Sequence, residues 1–261
     1  PLPGASAGVA SAAGLRTQQF VDGLPAGEDV SLIVVESGGE PDLLQKSTQD
    51  DLRHIHISKA HPQLFRQVRR HLRDLQPDAV IGINTYPSYL AARCADKHTP
   101  LWADLNGWSL AEVQAQAFAR GSNTPIGPAL ARERAIVLRA DKFSVVSKAQ
   151  RHALHGELAM CGRLTQETFA YPFVEVVENS CRPLTAAEAV PTRPVFRGGQ
   201  LPTDAFVLLW LGGFNAWADA DTLFAALKQA VAQDNRIHLA ITGGALAGID
   251  EETFPRFRER V

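Results

Sequence analysis

The chain has 261 residues, 45% of them hydrophobic and 21% charged, a balance typical of a globular protein that can bury a substantial core. Its formal charge of -2 provides no basic surface for nucleic acid, and no apolar run reaches the roughly 18 residues of a membrane helix. The three cysteines are widely spaced, which predicts a reducing, cytoplasmic compartment without a disulfide framework or a zinc knuckle. We expect no nucleic-acid partner and no transmembrane segment, and peripheral association with a membrane stays open.

Short apolar segments alternate with segments of helical period along the chain. The predicted strands are apolar almost throughout, which is typical of a parallel sheet buried on both faces. They cover residues 30–35, 78–83, 100–104, 142–147, 173–177, 206–211 and 236–242, and the main helices between them cover residues 14–24, 62–75, 148–160 and 219–233. The strand–helix–strand order predicts right-handed crossovers. The predicted fold class is therefore α/β, with a Rossmann-like parallel sheet and helices on both faces.

Residues 181–204 interrupt this pattern. They contain four prolines and the pair Gly198-Gly199 without any apolar period, which predicts a linker between a first domain at 1–180 and a second at 205–261. The second segment holds only a strand, a helix, a strand and the start of a further helix, and two parallel strands cannot bury a core alone. We therefore expect a second Rossmann-like domain that is only begun, in a chain that is a piece of a longer protein.

The N-terminal segment is rich in small residues and precedes a helix that opens at Gly14. A helix N-terminus offers unpaired N–H groups and the positive end of the helix dipole, and Arg16 adds a guanidinium group. Gly8, Gly14, Arg16 and Thr17 are therefore predicted to bind a phosphate or carboxylate, and the fold should survive loss of the Arg16 side chain. The alternative is a flexible tail. The segment is neither G-x-G-x-x-G nor a Walker A loop, which disfavours nicotinamide and ATP-hydrolase functions.

Residues 4–8 also match the G-x-S-x-G pattern of α/β-hydrolases, with Ser6 as the nucleophile and His238 as a nominal triad partner. That motif requires a strand directly before it, and only three residues precede it here. This context disfavours the motif, and a hydrolase that uses Ser6 is only the alternative function.

Polar residues follow the predicted strand at 100–104. In open α/β sheets ligands bind beyond the carboxyl ends of the strands, where Asp104, Asn106 and Trp108 should lie. Carboxylate and amide groups suit sugar hydroxyls, and a Trp ring suits the apolar face of a sugar. Glu112 is expected near the same place, on the following helix. Asp104, Asn106 and Glu112 are the predicted catalytic residues, and the alternative is an Asn-Gly turn beside a core tryptophan.

Both predicted strands of the second segment end in a glycine pair, Gly212-Gly213 and Gly243-Gly244. A strand that leads through glycines into a helix can hold phosphate on backbone N–H groups. Gly212, Gly213, Asn215 and Gly244 are therefore predicted to bind a ligand, although a glycine pair by itself is also an ordinary tight turn.

No metal site is predicted. Asp219 and Asp221 resemble a D-x-D metal pair, but alternate carboxylates at a helix start are better explained as the N-cap and a first-turn acid. The pairs His54/His56 and His152/His155 lack a third ligand nearby in sequence.

In their order and spacing, four segments together resemble the GT-B-fold retaining glycosyltransferases, the superfamily that includes glycogen synthase-like and sucrose synthase-like enzymes. They are residues 14–17, residues 102–108, the segment 143–148 before a helix, and residues 208–214 with 221–223. The resemblance implies a two-domain enzyme with its active site in the cleft between the domains. It implies an acceptor on the N-terminal domain and a nucleotide-sugar, as co-substrate rather than cofactor, on the C-terminal domain.

The implied activity is metal-independent transfer of a hexose-like sugar, with retention, to a glycan, lipid or small-molecule acceptor. The chain departs from the family at Gly213 and Ala218, where Arg and Lys often grip the diphosphate. The family's donor-binding Glu pair would lie beyond Val261, so we expect this chain alone to be inactive. A non-catalytic two-lobed sugar-binding protein is a further alternative.

Overall fold

A computed structural model describes residues 12–37, 40–49, 52–180, 196–215, 218–245 and 252–260. The predicted loop at 4–8, which includes Ser6 and Gly8, lies outside these residues, as does much of the predicted linker. The chain divides into two compact units, one of residues 1–111 and 124–181 and the other of residues 112–123 and 182–261. None of the helices in the described ranges has the length and apolar composition of a membrane span.

The first unit alternates strands and helices. Its elements in chain order are α1 (Ala12–Asp22), β1 (Ser31–Glu36), β2 (Leu44–Gln49), β3 (Leu52–Ser58), α2 (Leu64–Leu75), β4 (Val80–Ile83), α3 (Thr85–Cys94), β5 (Leu101–Leu105), α5 (Ile126–Arg139), β6 (Lys142–Val145), α6 (Lys148–Met160) and β7 (Val174–Val176). Helix α4 (Ser109–Ala119) begins in this unit, and its residues from Glu112 onward belong to the second.

Two sheets organise the first unit. Strands β4, β5, β6 and β7 pair in that order, and all three pairings are parallel. In the other sheet β3 lies between β1, which is parallel to it, and β2, which is antiparallel. The α/β prediction is confirmed. The antiparallel β2–β3 pair was not predicted, because β2 (LQKSTQ) is polar and nothing in its composition marks a strand.

Apolar side chains from both sheets fill two buried clusters. In one, β5 and β6 contribute Leu101, Ala103, Phe143 and Val145 against helices that include α5 and α6. In the other, Ile55 and Ile57 of β3 pack against residues of α2 and α3. Complete burial of one large apolar side chain stabilises a fold by about 1.5–3 kcal/mol, so these clusters hold β5 and β6 firmly in place.

Gly82 lets α3 begin directly against the end of β4. A Cβ at Gly82 would lie 2.5 Å from Ser88 Cα, a distance that real Cβ atoms do not reach. The hydroxyl of Ser88 donates to the Gly82 carbonyl at 2.8 Å. The short β4–α3 connection therefore depends on the absence of a side chain at this position.

The second unit contains β8 (Phe206–Leu211), α7 (Ala220–Gln233), β9 (Ile237–Thr242) and α8 (Thr253–Arg258), and β8 pairs with β9 in parallel. Phe214, Ala220 and Phe257 form its buried core. Burial on both faces was predicted for the apolar strands, but β8 is an exception, with Phe206 58% and Leu211 73% exposed. Among the described residues β9 is its only strand partner, so much of its apolar surface stays uncovered.

Candidate functional site

Asparagines follow the carboxyl ends of three parallel strands in the first unit. Because β4, β5, β6 and β7 run in the same direction, their last residues lie along one edge of the sheet. Asn84 comes directly after β4, Asn106 directly after β5, and Asn179 three residues after β7. We call this edge the polar edge.

Arg16 and Asp104 form a buried ion pair beside the polar edge. Arg16 is 2% exposed and Asp104 is fully buried. The guanidinium grips the carboxylate in two places, with Nε donating to Oδ2 at 3.0 Å and Nη2 to Oδ1 at 2.8 Å. Its other N–H groups donate to the carbonyls of Val177 (2.7 Å) and Glu178 (3.0 Å) and, at 3.5 Å, to Oδ1 of Asn179. Every donor of the guanidinium is therefore used within the unit.

This pairing corrects the roles that the sequence assigned to both residues. Arg16 was predicted to bind a ligand anion and Asp104 to act as a catalytic residue. In the structure each satisfies the charge of the other, and Asp104 has no surface that a ligand could touch. A buried charge is tolerated only when paired and hydrogen-bonded, so these side chains position α1 and the end of β5 rather than contact substrate.

Ser144 and Trp102 extend the same network across the sheet. The Ser144 hydroxyl donates to Asp104 Oδ1 at 2.5 Å, and Trp102 Nε1 donates to the Ser144 oxygen at 3.0 Å. Trp102 also packs edge-on against Phe20 of α1, with ring centroids 5.4 Å apart. This tryptophan belongs to the packing between α1 and β5.

The loop after β5 is held from two sides. Gln150 of α6 donates through Nε2 to the carbonyls of Leu105 (2.8 Å) and Gly107 (2.7 Å). Asn179 Nδ2 donates to Asn106 Oδ1 at 3.2 Å, which joins the ends of β5 and β7. The predicted site residue Asn106 thus lies on the polar edge, and it takes part in this hydrogen bond through its amide oxygen rather than through its N–H groups.

Two glutamates anchor the next part of this loop. Trp108 Nε1 donates to Oε1 of Glu157 on α6 at 2.9 Å, and the Ser109 hydroxyl donates to Oε2 of Glu133 on α5 at 3.3 Å. Glu133 is only 4% exposed. Burial and the nearby charge of Glu157 raise the pKa of Glu133 to about 7, and burial also raises the pKa of Glu157. The Trp108 ring itself stays 46% exposed beside the polar edge.

Asn84 was missed by the sequence analysis. Its φ of 70° and ψ of 166° are unusual for a residue other than glycine, and its N–H donates to the Asp104 carbonyl at 2.8 Å. Backbone strain of this kind is concentrated at functional sites. The available signal was its place directly after a predicted strand, the same rule that identified Asn106.

The remaining predicted residues of this region are Gly14, Thr17, Glu112 and Gly8. Gly14 is buried within α1, and the Thr17 hydroxyl donates to the Ala13 carbonyl at 2.9 Å, so the donor of its side chain stays within the helix. Glu112 lies in the first turn of α4, in the part assigned to the second unit, and burial raises its pKa. Gly8 lies outside the described residues.

In the second unit the two glycine pairs meet. Gly212 has φ 115° and Gly243 φ 149°, and a Cβ at Gly243 would lie 2.1 Å from the Gly212 carbonyl oxygen. The pairing of β8 with β9 continues past them, with Phe214 N–H donating to the Gly244 carbonyl at 2.9 Å. We call this backbone-lined edge, residues 212–215 and 243–244, the glycine edge. Of the predicted ligand-binding residues, it brings together Gly212, Gly213, Asn215 and Gly244.

Polar groups follow the glycine edge. Oδ1 of Asn215 is buried without a hydrogen-bond partner among the described residues. Asp219 caps α7 by accepting from Thr222 N–H at 2.9 Å, and this hydrogen bond lowers the pKa of Asp219. Asp221 pairs with Arg260 and, at 3.8 Å, with Arg256. The predicted helix-cap explanation of the D-x-D pattern is confirmed.

Metal ligands are not gathered anywhere in the described ranges, where no group of three or more His, Cys, Asp or Glu side chains could hold an ion. His54 and His56 do lie on one face of β3 and stack at 5.9 Å. His56 Nδ1 lies 2.6 Å from Glu36 Oε1.

No protein-family model matches the chain, and no curated protein matches it. Among solved structures it is similar to a trehalose-6-phosphate synthase studied through bisubstrate glycomimetics for enzymatic glycosyltransfer with retention. The two share 13% sequence identity with a TM-score of 0.46, and the match covers 97% of this chain and 65% of that chain. The chain thus spans about two thirds of the synthase chain. A likeness of this degree concerns the fold alone and gives no residue a role.

Proposed function

We propose that the chain is part of a glycosyltransferase that moves a sugar from a nucleotide-sugar donor to an acceptor hydroxyl. The observation that carries this proposal is the glycine edge of the second unit. There Gly212 and Gly243, each exposed at the end of a strand, have φ values that other residues rarely adopt. Backbone groups presented in this way, ahead of a helix, suit the phosphates of a nucleotide-sugar.

The polar edge of the first unit is suited to a polyhydroxylated acceptor. Amide side chains donate and accept hydrogen bonds at once, as a sugar hydroxyl does. Asn84, Asn106 and Asn179 supply such groups, and the exposed ring of Trp108 supplies an apolar face. We assign acceptor binding to this edge, with Asp104 and Arg16 holding it in shape.

Catalysis on these surfaces would depend on positioning and on electrostatics. The transfer breaks the bond between the sugar and the diphosphate, and negative charge grows on the departing diphosphate. Donors held in place before the reaction stabilise that charge without reorganisation. We assign this role to the backbone of the glycine edge and to Asn215. Glu112 stays a predicted catalytic residue, and retention and independence from metals stay part of the proposal.

Calorimetric titration of the protein with UDP, GDP and ADP, and separately with free hexoses, tests the proposal. We expect a nucleoside diphosphate to bind. Asn215→Asp should weaken that binding about tenfold or more, because it replaces amide donors by a negative charge beside the phosphates. Asn235→Asp makes the same change in the exposed turn before β9, at the other end of the strand, and should leave the affinity unchanged.

Each other result has a defined meaning. Failure of all three nucleotides to bind would overturn the proposal. Binding of a free hexose without any nucleotide would favour the sugar-binding alternative instead. Equal losses in the two Asn variants would remove Asn215 and the glycine edge from the site.

A further inference from the structure

A basic cleft of about 570 Å³ lies in the first unit at the amino ends of β4 and β5. Its walls are the last turns of α2 and α3 and the loop that leads into β5. The polar edge is at the opposite, carboxyl ends of the same strands. At about 3.3 Å per residue, the five residues from Thr99 to Asp104 separate the two by about 16 Å.

The charge of this cleft is strongly positive in a chain whose formal charge is -2. Arg69 and Arg73 of α2, Arg93 of α3 and Lys97 of the following loop line it, and Asp96 is the only acidic residue among the described residues of the lining. In the described part of the chain, none of these cations forms an ion pair with a carboxylate. Such pairs are common elsewhere on the surface.

The backbone around the cleft is fixed while the charged groups stay exposed. Arg69 Nη2 donates to the Arg93 carbonyl at 3.1 Å and ties α2 to α3. Arg139 Nη2 donates to the carbonyls of Asp96 and Thr99, each at 2.7 Å, and holds the loop that carries Lys97. Leu72 and the buried Cys94 also line the cleft. The cations therefore line a space whose backbone is held by hydrogen bonds within the unit.

Compensation of helix dipoles explains only part of this arrangement. Arg73 and Arg93 lie in the last turns of α2 and α3, where a cation is favourable without any ligand. Arg69 lies a full turn earlier in α2 but donates to the Arg93 carbonyl in the last turn of α3, and Lys97 lies outside both helices, beyond α3. Cations held close together repel one another, and an anion between them removes that repulsion.

We propose that this basic cleft binds a small organic phosphate with two or more negative charges. Guanidinium groups match phosphate oxygens in pairs of hydrogen bonds, and a cleft of this size accommodates a sugar phosphate or a nucleoside diphosphate. The cleft shares no residue with either edge that carries the proposed transfer, and it binds its ligand whether or not the transfer occurs.

Pyrophosphate is the first probe, measured by calorimetric titration of the protein at low ionic strength and again in 150 mM NaCl. We expect binding that weakens in salt, because the cations are exposed. The double variant Arg73→Gln/Lys97→Gln should lose at least about tenfold in affinity. Arg70→Gln is the matched control, since Arg70 lies on the same helix, pairs with Asp74 and does not line the cleft. The affinity of Arg70→Gln for pyrophosphate should equal that of the unaltered protein.

Two further measurements separate this site from the glycine edge and identify the ligand. Asn215→Asp should leave pyrophosphate binding at the basic cleft intact, whereas it weakens nucleotide binding under the proposed function. Glucose 6-phosphate and ADP, compared on the double variant, show which organic phosphate depends on the cleft. The inference is overturned if pyrophosphate does not bind, if the double variant binds it normally, or if Arg70→Gln loses as much affinity.

Discussion

Arg16 donates every N–H of its guanidinium to partners within the first unit, and Asp104 depends on it for charge neutralisation. We expect Arg16→Ala to lower the free energy of unfolding by about 3–5 kcal/mol, because the Asp104 carboxylate would remain buried without a counter-charge. This reverses the prediction from the sequence, in which the fold survived that substitution. Urea unfolding followed by circular dichroism measures the change.

Arg53→Ala is the control for this experiment. Arg53 pairs with Asp29 at 2.6 Å, but both side chains are exposed, so its loss should cost less than about 1 kcal/mol. Arg16→Lys should restore little stability, since an ammonium group cannot reproduce the two-point grip on Asp104 or reach the carbonyls of Val177 and Glu178 together. Equal losses for Arg16→Ala and Arg53→Ala would show that the buried pair is not a structural element.

Glu133 should make stability depend on pH. Its pKa is raised from 4.5 to about 7 by burial first and by Glu157 second. Between pH 4.5 and about 7 the folded chain therefore keeps on Glu133 a proton that the unfolded chain has released. The contribution of Glu133 to stability is complete below about pH 4.5 and is lost as the pH rises through 7. Glu133→Gln keeps an acceptor for Ser109 and cannot ionise. Across this pH range the free energy of unfolding should fall less for the variant than for the unaltered protein, with a difference of up to about 3 kcal/mol.

Melting temperatures measured in steps across this pH range check that prediction. Glu175→Gln, at an exposed position of β7, is the matched control and should follow the profile of the unaltered protein. A Glu133→Gln profile identical to that of the unaltered protein would show that the Glu133 carboxyl ionises as it does in the unfolded chain.

At the scale of secondary-structure elements, the β4–α3 connection is a sterically constrained point of the polar edge. Gly82→Ala should lower the free energy of unfolding by about 1–3 kcal/mol, because the added methyl group meets the backbone of Ser88. Gly156→Ala, inside α6 with open space around it, should instead raise stability by about 0.5–1 kcal/mol through helix propensity. Chemical unfolding of both variants compares them, and a tolerated Gly82→Ala would contradict the close approach of α3 to β4.

At the scale of the whole molecule, the proposed transfer should proceed without a divalent ion. The carboxylates that resemble a metal pair are already engaged, Asp219 with the N-terminus of α7 and Asp221 with Arg260. We expect EDTA to leave both nucleotide binding and sugar transfer by the intact protein unchanged. Activity that is abolished by EDTA and restored by Mn²⁺ would show that a metal takes part. Asp219→Asn, which keeps the cap acceptor, serves as the control for damage to α7.

Local pattern was sufficient for much of the fold. The apolar run at 206–211 and the helical period at 148–160 predicted β8 and α6 with the bounds that the structure has. Asp219 was recognised as a helix cap, because capping depends only on residues three positions apart. Asn106 of the polar edge and the glycine pairs of the glycine edge were also singled out from the sequence, because they directly follow predicted strands.

Only the tertiary structure decided which polar residues are available to a ligand. Arg16 and Asp104 are 88 positions apart, and no local pattern shows that one neutralises the other. The same holds for the raised pKa of Glu133, which arises from burial and from Glu157 on another helix. The polar strand β2 likewise exists through its pairing with β3 rather than through its own composition. The sequence by itself determined the α/β class and the strand ends that form the two edges, because periodicity and strand direction are local. Burial and charge pairing depend on residues that only the folded chain brings together.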